Sequence, residues 1–212
     1  MLVTIDPLRR RAAAGLLVLL ALLGGCATAP GGAEAEARGR VRFEDSPDGA
    51  RAILSESILF EFGKTTFANA ADPVLDVLKP AFVKARGKII VEGHTDGIGS
   101  DAANLRLSVE RAEKVRQAIV ARQVPPNRVE ARGLGKTKPR RSPEVTDQDR
   151  QLNRRAEILF PGETVDTLGG REIEGRADSV LGQLSKALGQ VKDEAKGVFD
   201  KLRDNFRSDK KN

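Results

Sequence analysis

The 212-residue chain has no tryptophan or tyrosine and only one cysteine and one histidine. Each shortage closes off a class of function. Single-stranded nucleic-acid binding stacks bases on aromatic side chains along a basic groove, and phenylalanine is the only aromatic on offer. The net charge of +6 is also scattered: Asp6 and Arg9, Arg10 and Arg11 account for +2, leaving +4 for everything else. Nucleic acid is therefore not an expected partner. His94, the lone histidine, has no second histidine and no cysteine with which to share a zinc ion. Asp96 stands two residues away at the same strand exit, and no nucleophile, base and orienting group are implied there. No metal, cofactor or catalytic residue is expected, and His94 reads as fixing a strand end through hydrogen bonds. Two stretches, Phe62–Thr66 and Leu134–Lys138, end like phosphate-binding loops. The glycine required five residues earlier is Ile58 in one and Glu130 in the other, so neither backbone can wrap a phosphate.

Long apolar runs are missing as well. The longest, Ala12 to Gly25, spans about 21 Å as a helix, short of the roughly 30 Å hydrocarbon core of a bilayer. Preceded by Arg9–Arg11, it has the layout of a secretory signal, predicted over residues 1–25. It ends in Leu23-Gly24-Gly25-Cys26, and this tetrad resembles the lipobox of bacterial lipoproteins. The resemblance implies cleavage before Cys26 and lipid attachment to it, with more than one acyl chain giving a firm hold. Ala27 follows in place of the aspartate associated with inner-membrane retention, which favours an outer-membrane lipid anchor. Residues 26–39 then form a small, polar, glycine-rich tether.

Folded structure is expected from residue 40. Ser46-Pro47-Asp48-Gly49 between two short runs predicts a hairpin. In Glu56–Lys64, the alternation of Ile58, Phe60 and Phe62 predicts a strand with one buried face. Pro73 opens a helix that Pro80 kinks or shortens. Lys88–Gly93 reads as a central strand, followed by a helix over 101–123, a strand at 127–133, a short helix at 147–153 and a last strand at 155–160. Strands separated by helices give an α/β fold, an α+β sandwich of roughly 110 residues within 40–161. The extension 162–212 carries Ile173, Ala177, Val180, Leu184, Leu188, Val191, Ala195, Val198, Leu202 and Phe206 at spacings of three or four. Its ten positive and ten negative charges over 163–212 balance. Packing on the domain or a partner helix, lying on a membrane surface, and disorder all fit that pattern.

The stretch Val91–Ser100 has the most chemical content. On the helix that follows, at about 100° per residue, Leu105, Ser108, Ala112, Val115 and Ile119 form the apolar centre. Arg111 falls beside Asn104 on the margin of that face. A partly buried guanidinium needs an acceptor, and its fork suits a carboxylate. Helical side chains lean toward the N-terminus, so Arg111 and Asn104 point back to the Asp96 loop. Gly97 and Gly99 let that loop bend and offer backbone N–H groups to an anion. Two arrangements follow: a pocket for a zwitterion between Asp96 and Arg111, or a structural salt bridge between them.

The spaced residues Gly93-His94-Thr95-Asp96, Gly99, Asn104, Leu107-Ser108, Arg111-Ala112, Gly133, Gly135 and Asn153-Arg154-Arg155 resemble the OmpA-like C-terminal domain. That peptidoglycan-binding domain is shared by Pal-type lipoproteins and the MotB family. The resemblance covers roughly 53–160 and implies a β-α-β-α-β-β fold that grips diaminopimelate of the stem peptide without cleaving it. In this chain it assigns Asp96 to the ligand's ammonium and Arg111, fifteen positions on, to its carboxylate. Asn104, Gly97 and Gly99 are assigned supporting contacts. Glu61 and Gly63 depart from the Asp or Asn common after the first strand. Arg154 and Arg155 either line the pocket or brace the last strand. The expected partners are peptidoglycan and the outer membrane, with a Tol-type periplasmic protein a further candidate. An envelope assembly or stress scaffold working through the C-terminal helix is the alternative function.

Overall fold

The computed structural model describes residues 40–61 and 63–208. The expected signal segment, Cys26 and the tether to residue 39 lie outside the described residues.

The hairpin forms as its turn residues predict. β1 (Val41–Ser46) and β2 (Gly49–Ser55) pair antiparallel with Ser46 opposite Gly49. Glu56–Leu59, however, is a one-turn helix, α1, and Phe60 makes only an isolated bridge to Phe67. The expected strand is therefore absent there. Its apparent alternation fails because Ile58, Leu59 and Phe60 are buried in succession, which a strand with one wet face does not allow. β2 takes the first-strand place in the expected β-α-β-α-β-β order.

Pro80 ends one helix and starts another. α2 (Ala71–Val77) stops before Leu78, and α3 (Lys79–Lys84) carries Pro80 in its first turn, where a missing N–H costs nothing. β3 (Ile89–His94) is buried along its whole length. α4 (Asp101–Ala121) starts from Ser100, whose side chain accepts from the Ala103 N–H. β4 (Val129–Gly135), α5 (Asp147–Asn153) and β5 (Arg155–Pro161) follow where expected. The strands form one sheet in the order β1-β2-β5-β3-β4, antiparallel except for the β3–β4 pair that α4 connects.

α4 lies unusually close to the sheet. A Cβ on Gly93 would sit 2.3 Å from the Ser108 backbone oxygen, and one on Gly133 would sit 2.5 Å from the Val109 nitrogen. The Ser108 hydroxyl also accepts from the Gly135 N–H at 2.9 Å. This approach turns α4 so that Asn104, Ser108, Arg111, Ala112, Val115, Ala118 and Ile119 are buried. Leu105 is left 49% exposed. The buried face is thus rotated from the expected centre, and Arg111 and Asn104 stand on it rather than at its margin.

The helices α2, α3 and α4 share the sheet face that holds the main core, including Leu75, Phe82, Val91, Ile119 and Phe160. The opposite face carries Arg51, Glu92, His94, Arg155 and Glu157, arranged by the pairs Glu92↔Glu157 and His94↔Arg155. The 136–146 loop lies across it, with Lys138 O accepting from Arg155 and Arg140 bonded to Glu44.

Beyond β5, α6 (Val165–Leu168) ends at Gly169 in the left-handed conformation, and α7 runs from Gly170 to Ser208. Ile173 and Ala177 bury against the domain, with Val180 and Leu181 packed beside them. Glu174 accepts the backbone N–H of Phe43 on β1. Farther along, Leu188 and Val191 are 58% and 63% exposed. Among the residues of α7 whose side chains are described, the packing reading therefore holds for the first turns. Among the described residues no helix is long and apolar enough to cross a membrane.

Candidate ligand-binding cleft

A cleft of about 800 Å³ opens where the β3 exit, α1, the start of α4 and α5 meet. Its lining includes Glu56, Phe60, Asp96, Asn104, Arg111 and Arg154. Asp96 and Arg111, expected to converge, face the same cleft. They do not pair with each other. Arg111 meets the Glu56 carboxylate, while Asp96 Oδ2 meets Arg154 Nη1 at 2.8 Å. Glu56 Oε2 and Arg154 Nε close the series at 3.1 Å. The simple Asp96–Arg111 salt bridge is thus replaced by a row of alternating charge: Arg111, Glu56, Arg154, Asp96.

Each end of the row is held from behind. Arg111 donates through Nη2 to Lys64 O at 3.1 Å, and its guanidinium lies 5.2 Å from the Phe60 ring centre. Asp96 Oδ1 accepts the Ile98 N–H at 3.1 Å, closing a turn within the loop. Asn104 donates to Ile98 O at 2.9 Å, so it positions the loop as well as lining the cleft.

The Gly97 amide is engaged within the chain itself. The Gly97 N–H already donates to both oxygens of Glu144, at 2.9 and 3.0 Å. It does receive an anion, but one supplied by the chain's own loop. Gly99 takes the positive φ its position needs, and its carbonyl accepts from Lys136 at 3.2 Å. Glu144 is in turn bonded by Asn153, which is fully buried and also accepts from the Arg140 and Arg141 N–H groups.

Arg154 lines the cleft, whereas Arg155 braces the last strand from the other face, bonding Glu157 at 2.7 Å. Sequence reasoning missed Glu56. The signal available was an acidic residue at a helix start among buried apolar neighbours, hidden because that helix is one turn long.

His94 does not fix the strand end by hydrogen bonding. Among the described residues, neither ring nitrogen has a partner. Burial, reinforced by the charge of Arg155, lowers its pKa to about 3 and keeps the ring neutral. With Glu92 and Glu157 it forms a group whose ligand atoms lie within 4.8 Å of one another. Arg51 bonds both carboxylates, at 2.6 and 2.8 Å, and Arg155 bonds Glu157. Burial alone would raise the Glu157 pKa, but the charge and hydrogen bond of Arg155, together with the charge of Arg51, hold it below the ordinary value. Those guanidinium charges already satisfy what a cation would need, so the group is a buried ion network.

Residues 59–154 match the OmpA family. Outer membrane protein A of Bordetella avium is 35% identical over 118 residues, covering 55% of this chain and 60% of that protein. Photosystem I P700 chlorophyll a apoprotein A2 of Gloeobacter violaceus is 38% identical over 126 residues, 56% of this chain and 14% of that one. The chain therefore spans less than two thirds of either relative, and the likeness is that of a module. Among solved structures, the cell wall anchor of the T6SS from Pseudomonas aeruginosa superposes with a TM-score of 0.50 at 28% identity. It covers 57% of this chain and 88% of that one. The matched stretch contains the cleft's charged row except Glu56, three residues upstream, and over residues 59–154 the chain carries an OmpA family domain.

Proposed function

We propose that this protein is a non-enzymatic outer-membrane tether that binds peptidoglycan through the cleft. The domain grips diaminopimelate of the stem peptide, with Arg111 taking a carboxylate and Asp96 an ammonium. Lipid on Cys26 holds the other end in the outer membrane, with the domain on the periplasmic face. The single observation that carries this reading is that two opposite charges, from a strand exit and from a buried helix face, line one open cleft. Opposite charges fixed in advance complement a small dipolar molecule with little reorganisation on binding. A binding role in place of catalysis is supported by the lining itself: the chain's one histidine is not among the residues that line the cleft.

The expected result is that the full chain in detergent pellets with purified cell-wall sacculi, and that Asp96→Ala or Arg111→Ala removes pelleting. Leaving the ligand's charge without a partner costs about 2–5 kcal/mol, enough to abolish retention. Wild-type pelleting by both variants overturns the assignment.

A second reading, an envelope scaffold acting through the C-terminal helix, is favoured by the exposure of Leu188 and Val191 on α7. It predicts that truncation after Leu184 leaves wall binding intact while a protein partner is lost.

A further inference from the structure

The row Arg111, Glu56, Arg154, Asp96 holds twice the charge that a zwitterion needs. Arg111 and Asp96 suffice to bind a carboxylate and an ammonium, yet Glu56 and Arg154 already occupy them. We infer that Glu56 and Arg154 together stand in for the ligand, so that binding is an exchange of ion pairs that selects molecules carrying both charges. This rests on the peptidoglycan reading above and adds to it how the site rejects ligands of one charge.

The inner pair is built as a unit. The Glu56 side chain reaches Arg154 Nε at 3.1 Å, and the Glu56 N–H donates to the Arg154 carbonyl at 2.9 Å. A carboxylate and a guanidinium are thus presented, side by side, to the two groups that the ligand itself would use. The outer pair is held by other contacts: Arg111 by Lys64 O and the Phe60 ring, Asp96 by the Ile98 N–H. Arg111 and Asp96 therefore keep their places when the inner pair lets go.

Charge balance then decides what enters. The four side chains sum to zero and are 80% or more removed from solvent, at 6%, 12%, 20% and 12% exposure for Arg111, Glu56, Arg154 and Asp96. A zwitterion takes Arg111 from Glu56 and Asp96 from Arg154, and the released pair still neutralise each other. A lone carboxylate displaces Glu56 but leaves one negative charge too many among side chains largely removed from solvent. A lone amine leaves one positive charge too many. Unbalanced buried charge is costly, so both are disfavoured by what they leave behind rather than by lack of contact.

The test compares three probes on the full chain in detergent by calorimetry. These are diaminopimelate, its N,N′-diacetyl derivative bearing carboxylates only, and its dimethyl ester bearing amines only. Wild type should favour diaminopimelate by about tenfold over either derivative. Glu56→Gln makes the cleft net positive and should move preference toward the diacetyl probe by about tenfold. Arg154→Gln should move it by a similar factor toward the ester. Shifts in opposite directions are not produced by a residue that merely holds its neighbour, and either variant suffices if the other does not fold. Loss of all three probes in the folded variants, or an unchanged order of preference, overturns the exchange. Pelleting of wild type with sacculi is read separately: its failure sinks the wall reading, while an unshifted preference alongside normal pelleting sinks only the exchange.

Discussion

His94 gives the sharpest prediction about stability. Its ring is 3% exposed and stays neutral down to about pH 3, whereas the same histidine in the unfolded chain titrates at its ordinary value of 6.5. As pH falls through 6.5, the unfolded state takes up a proton that the folded state refuses. The folded-state pKa is depressed, so stability is fully present above the unfolded value and is lost as pH drops. Between about pH 7.5 and pH 5 this linkage amounts to about 2 kcal/mol. Because the chain has one histidine, the interval is nearly free of other titrations. With no tryptophan or tyrosine to report by fluorescence, unfolding in urea is best followed by far-ultraviolet circular dichroism. Wild type should lose about 2 kcal/mol more than His94→Gln across the interval, and its ring resonances should not titrate. Parallel pH profiles for the two proteins, or a ring that titrates near 6.5 in the folded state, refute the buried neutral assignment.

Two further predictions concern packing. Gly93→Ala forces a methyl against the Ser108 backbone oxygen, with no flexible side chain to yield. It should cost about 1–3 kcal/mol in urea denaturation and displace α4 with its site residues. Ile173→Ala, at the buried start of α7, should cost about 2–5 kcal/mol, while Leu188→Ala on the exposed part should stay within about 0.5 kcal/mol. Equal effects of the two substitutions would show that α7 packs differently.

The sequence made legible whatever depends on local pattern. Ser46-Pro47-Asp48-Gly49 marked the hairpin, Pro80 marked the break between α2 and α3, and the apolar run at Ile89–Val91 marked a central strand. Asp96 and Arg111 were drawn to one place because strand exit, glycine loop and helix lean all act within fifteen residues. What was not legible depends on contacts far apart in the chain. Glu56 and Arg154 are 98 residues apart, and no periodicity relates them. Alternation misled at Ile58 and Phe60 because a one-turn helix is too short to show its own period. The ion network of Arg51, Glu92, Arg155 and Glu157 escaped because strands with charged residues ordinarily turn them to water. Here the 136–146 loop covers them.

The hydrogen bond from the Phe43 N–H to Glu174 bears on how the protein behaves in a crowd. β1 is an outermost strand, and an outermost strand with free amides is a template onto which another chain can add. By setting a carboxylate against one of those amides and laying Ile173 and Ala177 alongside, α7 acts as an end stop that keeps the sheet at five strands. At the other border, β4 presents Glu130 and Arg132, charges that discourage the same addition. Removing the whole extension would therefore uncap the sheet, and self-association of such a truncated chain would report the lost stop rather than a lost partner.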